Sequence, residues 1–181
     1  IQRPWEIGWM DQGCVIDQVD GQLRVQVAAA MDYKSCTYMT QNAFDASQGS
    51  VTVELVSGAA SGEGGLAWFI LGGADDTAGV AINPDDGTLN LAVVIDGTSQ
   101  VVQSLEYEPD VMRWLRIAVV DDVAVFEVSA DGSQYMEVGA AELLFDPTAA
   151  VVYVGGGAYS TGLLQEHNVY LDNVQGGSVS P

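Results

Sequence analysis

Two short runs constrain the fold of this chain more than any others: Met112-Arg113-Trp114-Leu115-Arg116-Ile117 and Val123-Ala124-Val125-Phe126-Glu127-Val128-Ser129. Both read as amphipathic β-strands, rich in β-branched and aromatic residues and marked by the polar Arg113, Arg116 and Glu127. Asp121-Asp122 lies between them, and the second run leads into Asp131-Gly132, so both ends carry turn chemistry. The pair reads as an antiparallel hairpin. Nowhere does an apolar 3.6-residue period persist over three turns, so no long helix is expected.

The same pattern recurs along the chain. Cys14 to Val19 leads through Asp20-Gly21 to Leu23–Val27, where Leu23, Val25 and Val27 face one side and Arg24 and Gln26 the other. Lys34 to Thr40 forms a third strand, giving a three-strand meander. Val51, Val53 and Leu55 share a face of the next strand. Leu66 to Leu71 is apolar on both faces, which marks a central strand. Ala78 to Asn83, Thr88 to Ile95, Val101 to Tyr107, Tyr135 to Val138, Val151 to Gly155 and Val169 to Val174 complete about a dozen strands. Ala140 to Leu144 reads as a short helical or loop excursion. Many short strands with frequent turns predict an antiparallel β-sandwich or barrel.

A chain of 181 residues is most simply one domain. We place that domain at residues 1–174, with Gln175–Pro181 as a linker or tail of flexible composition. The two ends suggest a processed protein or a piece of a larger one. With 48% hydrophobic residues the chain is not of disordered composition. Twenty-five acidic side chains against five basic ones give a net charge of −20. Such a surface repels phosphate backbones and anionic bilayers, which excludes nucleic acid and membrane as partners. No apolar run is long enough to span a bilayer.

Cys14 and Cys36 stand 22 positions apart, with no CxxC and no Cys/His cluster, so zinc and redox-motif chemistry lack support. In the meander the two cysteines can approach one another, and a Cys14–Cys36 disulfide is expected. By the loop-entropy argument it contributes about 3 kcal/mol. Such a bond suits an oxidising compartment.

The order of these signals resembles a known superfamily. Trp5, Gly13-Cys14, Asp20-Gly21-Gln22-Leu23 and Val51 to Glu54 come first. Arg113-Trp114-Leu115-Arg116-Ile117, Val125 to Tyr135 and Tyr170-Leu171-Asp172-Asn173-Val174 follow. From Trp5 to Val174 the chain resembles the concanavalin A-like lectin/glucanase superfamily, in particular the laminin-G-like jelly rolls of bacterial secreted and cell-surface proteins. The resemblance implies a two-sheet antiparallel sandwich with one concave sheet, glycan binding on that face or its rim, and in many members a calcium ion. Its hydrolase branch carries Glu-x-Asp-x-x-Glu on one strand, and that triplet is absent here. Glu54 and Glu127 stand alone on their strands, which argues against catalysis without ruling out carboxylates paired across strands.

Sugar rings are bound by flat aromatic faces flanked by polar groups. The ligand-binding candidates are Tyr159, in the Gly155–Gly162 loop, with Trp68, Trp9 and Arg116. Trp5 and Trp114 read as packing residues. Arg113 and Arg116, three positions apart, point to opposite faces. Arg116 would grip an acidic sugar, or pair with Glu127 or Asp121. For calcium the candidates are Asp172, Asp75 and Asp76, with turn formation the competing role for such aspartates. His167 reads as a surface loop residue, and no catalytic residue is assigned.

The expectation is a non-catalytic extracellular module, secreted or on the cell surface, that recognises a glycan or cell-surface polysaccharide. A divergent glycoside hydrolase or lyase of the same fold, and a purely structural module of a larger surface protein, remain as alternatives.

Overall fold

The computed structural model describes residues 5–29, 33–57, 65–73, 75–83, 87–158 and 166–178. Among the described residues fourteen antiparallel strands form two seven-stranded sheets, with one 3-10 turn at Pro147–Ala149. The strands are β1 Trp5–Met10, β2 Cys14–Val19, β3 Gln22–Val27, β4 Lys34–Thr40, β5 Gly49–Ser57, β6 Gly65–Gly72 and β7 Thr77–Asn83. They continue as β8 Thr88–Ile95, β9 Thr98–Glu106, β10 Trp114–Val120, β11 Val123–Ser129, β12 Met136–Glu142, β13 Val151–Ala158 and β14 His167–Ser178.

Sheet I has the order β1-β4-β13-β6-β7-β8-β9, and sheet II the order β12-β11-β10-β5-β14-β3-β2. Period-two alternation turns one face of each sheet inward. Phe69, Leu71, Leu91 and Val154 of sheet I meet Val25, Val53, Ile117 and Phe126 of sheet II, all fully buried. This two-layer β-sandwich is the predicted architecture, and β6 is indeed an inner strand of its sheet. The turns lie where acid-Gly or acid-acid pairs stand. Asp20, Asp121 and Asp122 adopt left-handed backbone (φ 52°, 51° and 62°), the conformation that tight hairpins require. Asp121-Asp122 thereby joins β10 to β11 in continuous register from Trp114↔Ser129 to Val120↔Val123.

Several local expectations are corrected. Strands β2, β3 and β4 are not a meander, because β2 and β3 lie in sheet II and β4 in sheet I. The Cys14–Cys36 disulfide is present, with Cα atoms 5.9 Å apart, and it ties the two layers together. The expected excursion at Ala140–Leu144 is largely strand, since β12 runs to Glu142 and pairs with β11. Strand β14 continues past the Val174 boundary, pairing with β5 as far as Ser178. His167 is 4% exposed in a strand and not on a surface loop, because it stands opposite the buried Val27. Among the described residues no helix is long and apolar enough to cross a membrane.

Candidate functional site

The outer faces of the two sheets differ in chemistry. On sheet II the outward positions are rich in charge. Arg24 donates to both carboxylate oxygens of Asp17, at 2.9 and 2.6 Å, which holds the Asp17 carboxyl below its usual range. Arg116 forks onto Glu127, with Nε to Oε2 at 2.5 Å and Nη2 to Oε1 at 2.8 Å. Its guanidinium lies 3.8 Å from the ring centroid of Tyr135. Arg113 pairs with Glu54, which is 6% exposed and also accepts from Asn173 Nδ2 at 2.6 Å.

Two of these pairs have a common cause. Register sets Glu54 opposite Asp172 and Glu127 opposite Glu137, so Arg113 and Arg116 each offset a like-charge cross-strand contact, whereas Arg24 stands directly opposite its own partner Asp17. Arg116, a ligand-binding candidate, is thus engaged by Glu127, the alternative that its sequence context offered. Arg113 reaches the same outer face as Arg116, because it precedes β10 and escapes the strand's alternation. Trp114 also faces outward and packs on the Asp131-Gly132 turn, where a Cβ on Gly132 would lie 2.8 Å from the indole.

Sheet I presents the opposite surface. On its five inner strands the outward positions include Thr37, Met39, Tyr153, Gly155, Gly157, Trp68, Ile70, Gly79, Ala81, Asn90 and Ala92, and none of the outward positions is charged. Acids appear only on the bordering strands, as Glu6 on β1 and Glu106 on β9. In a chain of net charge −20 this is a neutral window.

Trp68 is its centre. The indole lies across β13: a Cβ on Gly155 would come within 2.6 Å of Trp68 Cε2, and one on Gly157 within 2.7 Å of Cζ3. Only glycine leaves room for a ring laid on the strand. Gly156 faces the other way, toward Val169 and Val25 of the opposing sheet. The run Gly155–Gly157, expected as a ligand-facing loop, is therefore strand, and its glycines admit an aromatic side chain instead of a ligand backbone. Tyr159 lies outside the described residues.

Trp9 shares the row. Beyond a bulge at Gly8 it stands opposite Thr37, which stands opposite Gly155, which stands opposite Trp68. Trp9 is 64% exposed, and its Nε1 donates to Asp11 Oδ1 at 3.2 Å. Three inter-strand steps separate the two tryptophans, about 14 Å. Tyr153, one row away beside Ile70, was not anticipated from sequence. Its hydroxyl donates to the Gly73 carbonyl at 3.4 Å, and partial burial raises its pKa.

The calcium candidates do not converge. Asp172 lies on β14, where its Oδ1 accepts from Asn173 N at 2.7 Å. Asp75 and Asp76 lie between β6 and β7, where Asp76 Oδ1 accepts from Asp96 N at 2.8 Å and ties two turns together. Among the described residues no three His, Cys, Asp or Glu side chains are grouped so as to hold a metal ion.

No family model matches the chain, and no curated protein sequence matches it. Solved structures do. A carbohydrate-binding module, CBM66, from Bacillus subtilis matches 97% of this chain and 96% of its own, at 12% identity and a TM-score of 0.60. A glycoside hydrolase family 16 endo-glucanase from Bacteroides ovatus matches 98% of this chain and 96% of its own, at 9% identity and 0.62. A legume lectin-like domain from Entamoeba histolytica matches 97% of this chain and 90% of its own, at 13% identity and 0.60. All three share one architecture at identities that speak to fold alone, and the chain has the concanavalin A-like jelly-roll fold.

Proposed function

We propose that the outer face of sheet I binds an uncharged glycan without cleaving it. The carrying observation is Trp68, laid flat over Gly155 and Gly157 in the middle of a face whose inner strands bear no outward charge. A flat indole offers its face to the C–H side of a pyranose, and Thr37 and Asn90 in the same row offer hydrogen bonds to hydroxyls. A ligand touching both Trp68 and Trp9 spans about 14 Å, which is the scale of an oligosaccharide. The fold neighbours include a carbohydrate-binding module and a lectin-like domain, which supports this class of ligand.

Catalysis has no support on this face. Glycoside cleavage uses two carboxyl groups on either side of the bond, and the inner strands of sheet I carry none outward. The acids that do meet across strands, Glu54 with Asp172 and Glu127 with Glu137, lie on the other sheet, and each pair includes a glutamate occupied by an arginine. The disulfide suits a secreted or cell-surface setting, where a thiol pair stays oxidised.

The test is a neutral-glycan array with and without calcium, repeated with Trp68→Ala. Binding that weakens about tenfold in the variant, the equivalent of 1.4 kcal/mol, supports the proposal. Absence of binding to every glycan, or equal binding by the variant, defeats it. Reducing-sugar release from a bound polysaccharide would reassign the protein as an enzyme.

A further inference from the structure

All four strands that border the sheets carry acids: Glu6 on β1, Asp17 on β2, Glu137 and Glu142 on β12, and on β9 only its last residue, Glu106. Strand β9 is different. From Thr98 to Leu105 it has no charged side chain, and every residue from Thr98 to Ser104 is exposed. Among the described residues its outer edge has no partner strand. Bordering strands are ordinarily protected by charge, and a long neutral one is a template for pairing.

Its middle, Ser99-Gln100-Val101-Val102-Gln103-Ser104, reads identically in both directions. An antiparallel pair of such strands related by a two-fold axis sets Ser99 against Ser104, Gln100 against Gln103, and Val101 against Val102. For a regular strand this register fails, because Ser99 and Ser104, five apart, would face opposite sides. Strand β9 is not regular. Its pairing to β8 passes from Leu91↔Gln103 to Ala92↔Val101, which leaves Val102 as an extra residue. The bulge puts Ser99 and Ser104 on the outward side, opposite Val94 and Asn90. Gln100 and Gln103 lie on the inward side, opposite Val93 and Leu91. The irregularity sits at the centre of the palindrome and restores its two-fold match.

We propose that β9 pairs antiparallel with β9 of a second copy of this chain, centred between Val101 and Val102, joining two copies of sheet I into one continuous sheet. The interface is isologous, as in most homodimers. Val101 and Val102, now 61% and 45% exposed, meet each other across the axis. The neutral stretch Thr98–Leu105 lets two chains of net charge −20 approach, and Glu106 at its end would stand opposite Gly97 and not another carboxylate. The axis is perpendicular to the sheet, so both outer faces look the same way. Seven inter-strand steps then separate Trp68 from Trp68 of the partner subunit, about 34 Å. If the glycan reading holds, the pair is bivalent toward a polysaccharide surface; the pairing itself does not depend on that reading.

Sedimentation of the intact chain at micromolar concentration, without glycan, tests the pairing. The expected mass is twice 19.1 kDa for the native chain and for Trp68→Ala, and 19.1 kDa for Val101→Lys with an unchanged circular dichroism spectrum. Should Val101→Lys fail to fold, register is read by crosslinking. Chains carrying Gln100→Cys and chains carrying Gln103→Cys form interchain disulfides when mixed, far more than either does alone. A monomeric native chain, a dimer that survives Val101→Lys, or crosslinking as strong within one variant as between the two overturns the proposal.

Discussion

Adding one methyl group at Gly155 is the sharpest test of how the aromatic face is built. A Cβ there would lie 2.6 Å from Trp68 Cε2, closer to Nε1, and closer still to the Cys36 carbonyl oxygen of β4. The indole is able to tilt away. The carbonyl is not, because β4 is hydrogen-bonded between β1 and β13 and Cys36 is bonded through its sulfur to Cys14 in the other sheet. Overpacking of this kind costs about 1–3 kcal/mol. At roughly 2–4 °C per kcal/mol for a chain of this length, Gly155→Ala should lower Tm by about 4–8 °C if the cost is about 2 kcal/mol. Urea unfolding followed by circular dichroism measures the loss directly, with an unchanged slope showing that the native state remains compact. Trp68→Ala removes the indole from the clash and leaves the carbonyl. Gly155→Ala made in that background should therefore cost less, with a coupling of about 1 kcal/mol in the double-mutant cycle. Glycan affinity should fall with Gly155→Ala, because the platform no longer lies flat. A stability change below about 0.5 kcal/mol, the level of an ordinary surface substitution, would refute the close approach of ring and strand.

Two further outcomes follow from the packing and the turns. Replacing Cys14 and Cys36 together by alanine should cost about 3 kcal/mol, the loop-closure value for a 22-residue separation; a urea midpoint equal to that of the native chain would show that the bond between layers is dispensable. Amides of Ser133 and Gln134, with the hydroxyls of Ser133 and Ser129, hold the Asp131 carboxyl down at about 2, against 3.8 when unperturbed. Its contribution to stability is therefore complete above 3.8 and disappears as the pH falls toward 2, so Asp131→Asn should flatten the acid limb of a urea-midpoint profile; an acid limb parallel to that of the native chain would contradict this.

Much of the local structure is legible from residue order, because alternation and turn chemistry act within a few positions. The Asp121-Asp122 and Asp20-Gly21 hairpins and the inner position of Leu66–Leu71 are of this kind, whereas the Cys14–Cys36 bond is expected from the cysteine pair on a meander that the structure does not have, and it joins two sheets instead. What alternation does not encode is which sheet a strand joins. Strand β4 pairs with β1 and β13, the latter more than a hundred residues away, and nothing in Lys34–Thr40 separates that arrangement from a meander with β3. The glycines of β13 misled for a related reason. A triple glycine ordinarily marks a loop, and its role as a bed for Trp68 depends on a partner strand some ninety residues earlier. Trp68 and Trp9 could be singled out by residue type, yet their common row depends on two intervening strands and a bulge. The fate of Arg116 was readable as one of two alternatives, and the Glu127 partner lay directly across the hairpin.

The strand order has a consequence for how the molecule comes into being. Strand β13 inserts between β4 and β6, and β14 inserts between β3 and β5. The first four strands are thus joined to the rest of both sheets by ladders that only the last two strands complete. During synthesis the early hairpin and the later meander emerge as separate pieces, each with open edges, and neither layer closes until the final strands arrive. Late, long-range closure of this kind slows folding and prolongs the exposure of unpaired edges. The sulfur bridge between β2 and β4 involves only the early piece, so it can form before either sheet is whole and hold the two layers in apposition for the strands that complete them.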